Sequence, residues 1–199
     1  MTMGYFRIVT FSLLAGMAAF SGTAQAESAT MVASASPAAA AGAIDVSVMA
    51  GKITLRVPAE FVNQTREEAA SQNTGVKIQL LADRQRQQVV GISEVPTADG
   101  DANDNSEAAF NKMAQGILSG LKTQYKDVKK TGQTRISAGG QQLLRLDTRQ
   151  TVQDKLMSGT TLVTPYQANV VTLQVLSPAA DKTGHAALVK FVLESLAFH

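Results

Sequence analysis

The chain has 199 residues, with 18 basic against 16 acidic side chains, a formal net charge of +2, and neither cysteine nor tryptophan. A balance this close to neutral argues against the concentrated positive surface of a dedicated nucleic-acid binder. The missing thiols exclude disulfides, thiol catalysis, thiolate-bound zinc and a lipid anchor on an N-terminal cysteine. Hydrophobic residues make up 45% of the chain, enough for one core in a single domain of this length.

Residues 1–26 have the three parts of a secretory signal peptide. Arg7 is their only charged residue, an apolar run follows from Ile8 to Phe20, and the exit is Ala24-Gln25-Ala26. The run falls short of the ~20 residues that span a bilayer. Cleavage is therefore expected after Ala26, leaving Glu27 first, with the periplasm as the destination and secretion as the second choice. No transmembrane segment is expected after cleavage. Residues 27–43, rich in Ala and Ser, read as a flexible linker, and residues 44–199 as one domain.

The domain opens with a strand from Asp45 to Met49, turned at Ala50-Gly51-Lys52 into a second strand on which Ile53, Leu55 and Val57 alternate with polar residues. Pro58 ends that ladder. Residues 63–74 are polar and predict a loop with a helical turn. A strand on Val76, Ile78 and Leu80, a turn over 83–87 and a return strand to Val95 come next. After a loop rich in Asp and Asn, the spacing of Phe110, Met113, Ile117, Leu121 and Tyr125 predicts an amphipathic helix. Asp104 and Glu107 have the spacing of a capping box at its start. Val128 to Ile136 reads as a strand, Gly139-Gly140 as a hairpin turn, and Leu144 and Leu146 as part of the returning strand. A further hairpin runs over 156–164 and 169–176 with its turn at Pro165-Tyr166-Gln167. Leu188, Phe191, Val192 and Leu196 make a closing helix. The fold class expected is α+β: an antiparallel sheet of hairpins flanked by amphipathic helices.

Few residues suggest chemistry. Asp99, Asp101, Asn103 and Asn105 alternate like the start of a calcium loop, but the sixth position is Asp104 where glycine is required and the twelfth is Phe110 where glutamate is required. A solvated loop with a helix cap is the simpler reading. His185 and His199 have no local cluster of ligands or relay partners, and both are expected at the surface. Nucleophile-elbow, phosphate-loop, dinucleotide and zinc-protease motifs are all missing. Glu94 and Asp147 could converge from distant strands, although each reads more simply as a solvent-facing strand residue. Arg84 and Arg86 in a turn, and Lys126, Lys129, Lys130 and Arg135 around a helix–strand junction, are basic clusters. Of these, Arg84, Arg86, Lys129 and Lys130 are the candidate contacts for an anionic partner or lipid head groups, against the plain alternative of a solvated charged surface. No catalytic residue, metal or cofactor is expected.

The strands also carry a family resemblance. Gly51-Lys52-Ile53-Thr54-Leu55-Arg56-Val57-Pro58-Ala59-Glu60 resembles the opening strand of the bacterial DcrB family. The stretch from Gly140 to Leu146-Asp147 is similar to a family strand ending in Leu-Asp. Val171-Thr172-Leu173-Gln174-Val175 with Pro178-Ala179-Ala180-Asp181 is similar to its last strand and turn, and a closing helix with a late Ser-Leu follows in both. The resemblance runs from about Gly51 to the C-terminus and implies a PsbP-like fold, an antiparallel sheet flanked by helices. It implies no catalytic residues. Family members are envelope proteins linked to phage adsorption, DNA entry and envelope homeostasis, and cytoplasmic relatives are chaperones for type VI secretion effectors. This chain departs from the pattern by lacking the lipobox cysteine, which puts membrane anchoring in doubt.

The reading that follows is a periplasmic, non-enzymatic, DcrB-like protein that binds an envelope or secreted protein, or a lipid-like ligand. Two alternatives stay open: an immunity, adaptor or chaperone protein of a type VI secretion system, and a hydrolase built on dispersed carboxylates.

Overall fold

A computed structural model describes residues 42–65, 75–97 and 104–199. The signal segment, most of the linker, the helical turn expected within 63–74 and three of the four calcium-like positions (Asp99, Asp101 and Asn103) lie outside the described residues.

β1 (Ala43–Val48) starts one residue inside the expected linker and pairs with β2 (Ile53–Pro58). Met49, Ala50 and Gly51 between them all have positive φ, 51°, 54° and 93°. Two of these are not glycine, so something outside the turn must hold it. The carboxylate of Glu94 does so, accepting the Met49 N–H at 2.6 Å.

Next come β3 (Val62–Asn63), β4 (Lys77–Asp83), β5 (Gln88–Pro96) and α1 (Glu107–Gln124). β6 (Lys126–Ala138), β7 (Gln141–Val152), β8 (Lys155–Tyr166) and β9 (Asn169–Pro178) follow, then α2 (Lys182–Ser195) and β10 (Ala197–Phe198). The strands form an antiparallel seven-stranded sheet in the order β3-β4-β5-β9-β8-β7-β6 and a small sheet in the order β1-β2-β10.

Both faces of the large sheet are covered. On one face, Val90, Ile92, Leu143, Leu162, Leu173 and Val175 meet the small sheet through Val48, Ile53, Leu55 and Val57, and meet α2 through Leu188, Val189 and Val192. On the other, Val89, Leu144, Leu146, Val163 and Leu176 meet Phe110, Met113, Ala114, Ile117 and Leu121 of α1. Successive residues of one strand thus enter different cores, which is why Val89-Val90 and Val170-Val171 are apolar runs where one-sided strands would alternate. The fold is mostly strand. It has the expected antiparallel hairpins and one helix per face, but α2 shares its face with a second sheet that the hairpin pattern did not foresee.

Two local expectations shift. The cap of α1 is Ser106, whose hydroxyl accepts the Ala109 N–H at 3.1 Å, while Asp104 accepts the N–H of Ser106 at 2.8 Å. The carboxylate closes a local loop with the residue two ahead, a competing bond that Asp makes readily. The turn of the last hairpin sits at Gln167-Ala168, with φ of 46° and 58°, and Pro165 and Tyr166 stay in β8. Pro165 is tolerated because β7 pairs with β8 only as far as Val163, so no ladder donor is lost there.

Gly139 and Gly140 turn β6 into β7 with φ of 57° and 80°. A Cβ on Gly139 would lie 2.7 Å from the carbonyl oxygen of Leu196, whereas one on Gly140 would meet nothing within 4 Å. Gly140→Ala is expected to cost about 1–2 kcal/mol from its left-handed backbone alone, and Gly139→Ala clearly more, read from urea midpoints at constant m-value. Ser106→Ala should cost about 1 kcal/mol, read from the same transition.

Candidate functional site

On the face shared with α2, three of the polar residues among the apolar rows of the large sheet lie close together. Asp147 on β7 pairs directly with Thr160 on β8, Thr160 with Val175 on β9, and Ser177 lies two residues beyond Val175 on the same face. After Pro178 the chain turns into α2, whose first turn is capped by Asp181 through its bond from the Gly184 N–H at 2.8 Å. That start brings His185 down onto the three strands. Its Nδ1 lies 3.1 Å from Ser177 Oγ and its Nε2 lies 3.0 Å from Thr160 Oγ1.

The proton directions follow from counting donors. Thr160 donates its one hydroxyl proton to Asp147 Oδ1 at 2.6 Å, so Nε2 of His185 must carry the hydrogen given to Thr160. Nδ1 then accepts from Ser177. Asp147 is filled from the other side by Arg145 Nε, at 3.1 and 3.0 Å from its two oxygens. Across the ladder, Gly132 leaves room for that carboxylate, since a Cβ there would sit 3.2 Å from Oδ2.

A Ser–His–Thr–Asp chain has the outline of a nucleophile relay. A nucleophile needs an oxygen open to substrate and donors beyond it for the developing oxyanion. Ser177 and Thr160 are both 0% exposed, so the Ser177 hydroxyl is committed to His185. The network fastens the first turn of α2 to β7, β8 and β9. Burial pushes the His185 pKa below its ordinary value of 6.5. The nearby charge of Asp147 opposes that shift, and that of Arg145 adds to it.

His185 is thus half-buried and bonded on both ring nitrogens, contrary to the surface position expected; a histidine in the first turn of an amphipathic helix faces the sheet when the turn is capped toward it. Glu94 is also not solvent-facing. It is 7% exposed, holds Met49, and has Lys77 Nζ 3.7 Å away. Glu94 and Asp147 do not converge: β9 and β8 separate their strands, roughly 14 Å at the usual strand spacing. His199 is exposed, as expected, beside Thr54 at 3.1 Å. Its backbone closes the small sheet, its N–H donating to Lys52 O and its carbonyl accepting the Tyr166 hydroxyl.

Arg84 and Arg86 stand in the turn between β4 and β5, with Asp83 accepting the N–H groups of Gln85 and Arg86. Lys129 and Lys130 are exposed on the edge strand β6, at the same end of the large sheet but five strand spacings away. Arg135 is occupied locally, its guanidinium 5.0 Å from the Phe110 ring centre and bonded to the carbonyl of Asn105. Among the described residues, no group of three or more His, Cys, Asp or Glu is placed to hold a metal. Sequence reasoning missed Thr160 and Ser177. Ser177 does end an apolar row of Val171, Leu173 and Val175, but Thr160 shares its face of β8 with Ser158 and Thr164 and so carried no local signal.

No family profile and no curated protein matches the sequence. Solved structures match in fold. Cyanobacterial PsbP from Synechocystis shares 11% identity, covering 84% of this chain and 99% of its own, with a TM-score of 0.58. The Ran-binding protein Mog1p of Saccharomyces cerevisiae shares 8% identity over 79% of this chain and 95% of its own, with a TM-score of 0.51. LpqN of Mycobacterium tuberculosis, involved in cell envelope biogenesis, shares 18% identity over 78% and 90%, at a TM-score of 0.48. The fold is therefore PsbP-like.

Because its folded pKa is depressed, His185 binds fewer protons in the folded chain than in the unfolded one. Its contribution to stability is full above the unfolded pKa of 6.5 and is lost as pH falls through the lower folded pKa. Urea midpoints should drop with pH below 6.5, before carboxylates titrate near ~4. His185→Gln should be less stable at neutral pH and lack that slope. An equal slope in the variant would remove His185 as its source.

Proposed function

We propose that this chain is an exported, DcrB-like binding domain that works without catalysis in the bacterial envelope, meeting a protein or lipid partner on its outer surface. The signal pattern of residues 1–26 supports the address, and the order of DcrB-like strands from Gly51 onward supports the family. The observation that carries the mode of binding is the small space left between the two sheets. Between the two sheets lies an apolar cavity of about 10 Å³, lined among others by Val48, Ile53, Ile92, Leu162 and Phe198, far below the ~300–1,000 Å³ of a small-molecule site. A partner on this reading meets strands, turns or helix faces from outside. The separation of Glu94 from Asp147 by β9 and β8 favours the non-catalytic reading over a hydrolase built on that carboxylate pair. The yeast neighbour of the fold is a Ran-binding protein, so the architecture has been used for protein binding, an analogy at the level of fold alone. No helix among the described residues is long and apolar enough to cross a membrane.

Fractionation of expressing cells with intact mass measurement tests the address. The expected product starts at Glu27 and is released by osmotic shock. A chain that retains Met1 and stays in the cytoplasm would overturn the proposal. Mild crosslinking in the periplasmic fraction then tests the mode: an adduct to an envelope component is expected, and turnover of ester or glycoside substrates without one would favour the hydrolase.

A further inference from the structure

One end of the large sheet differs in charge from the rest of the molecule. The turn of β4 into β5, the turn of β7 into β8 and the start of β6 all lie there, because Asp83 pairs with Gln88, Val152 with Lys155 and Lys126 with Thr151. These tips carry exposed Arg84, Arg86, Lys126, Lys129, Lys130 and Lys155. Arg149 pairs with Lys129, and Lys182 opens α2 beside them. Two of the partners are neutral: Arg84 donates to Gln64 and Lys130 to Gln133. Among the described residues the acids at this end are fewer. Asp83 is buried beneath Arg86, Asp127 and Asp181 are bonded to Thr151 and Gly184, and Asp154 and Glu60 are exposed.

The same end carries both of the large, strongly exposed apolar side chains of the described residues, Leu156 at 51% beside the β7–β8 turn and Val62 at 58% on β3, paired with Ala82. The cations extend from β4 to β6, five strand spacings or roughly 24 Å, across separate strand tips. A flat sheet of negative charge with an apolar layer beneath matches that layout better than an extended peptide does.

We infer that this end docks on the surface of an anionic lipid bilayer, with the basic tips on the head groups and Leu156 dipping between them. The inference deepens the binding role proposed above and rests on it, naming a lipid surface as the partner.

Co-sedimentation with vesicles tests it, using the chain from Glu27 onward, which contains every described residue. Binding is expected to phosphatidylglycerol–phosphatidylcholine vesicles and not to pure phosphatidylcholine, and should fall as salt rises. Arg84→Gln with Arg86→Gln, and separately Lys129→Gln with Lys130→Gln, should each weaken partition by roughly five-fold per cation removed, with unchanged thermal midpoints. Leu156→Ser should remove the part that survives high salt. If a paired variant unfolds, the other pair and the salt titration of the unaltered chain still decide. Absence of vesicle binding, equal binding to neutral vesicles, or unaffected charge variants would overturn the inference. If vesicles fail while a crosslinker at Lys129 captures an envelope protein, the binding role stands and the lipid partner falls. If fractionation fails instead, vesicle binding is still read independently.

Discussion

β5 meets β9 along eight residue pairs, from Val89–Leu176 to Pro96–Asn169, and this pairing joins two halves of the sheet built from different parts of the chain. On one side stand the hairpin strands β4 and β5, and on the other the meander from β6 to β9. α1 and three long strands lie between them in sequence, so the central ladder forms only after a large loop has closed. Once it forms, β5, β9 and β8 have neighbours on both edges and cover on both faces. That is why β5 is buried from Gln88 to Glu94, and why its few polar side chains must find partners within the protein. Glu94 shows the consequence. Its carboxylate, near the C-terminal end of β5, holds the left-handed turn of the covering hairpin, so the strand that closes the sheet also positions the hairpin over it.

The second polar insertion positions α2. Thr160 and Ser177 are fully buried, and an unpaired hydroxyl there would cost about 1–3 kcal/mol. Thr160 already has Asp147 as a partner, and His185 gives Ser177 its partner only when the first turn of α2 stands over the sheet. Apolar contacts of Leu188, Val189 and Val192 supply most of the attraction but would tolerate sliding. The hydrogen bonds to His185 do not, so the relay acts as a positioning device for the helix. With the helix and the small sheet seated, an apolar cavity of about 10 Å³ is left between the sheets.

Lysines on β6 serve the fold as well as any partner. β6 is the edge of the large sheet, 13 residues long, and such an edge invites pairing with another chain. Lys129 and Lys130, together with the register shifts at Lys126/Lys129 and Lys130/Gly132, discourage it. Arg84 and Arg86 have no such duty, since β3 already covers β4. Arg84 instead donates to Gln64, and Arg86 lies over the buried Asp83.

Much of the fold was legible because it depends on near neighbours. Alternation at Ile53, Leu55 and Val57, the Gly139-Gly140 turn and the helical spacing from Phe110 to Tyr125 are set by backbone geometry over a few residues, and the strands and helices lie close to where those patterns put them. The signal-like N-terminus, the lack of thiols and the near-neutral charge are likewise properties of the chain itself. The candidate site was not legible. Asp147, Thr160, Ser177 and His185 come from three strands and a helix, and nothing in their separate surroundings announces that they meet. The split into two sheets, the return of Ala197–Phe198 to β2, the burial of Glu94 and the gathering of cations from β4, β6 and β8 at one end were decided by tertiary structure alone. Each depends on which strands pair at long range, and that choice is made by the summed burial of two whole faces and by no local pattern.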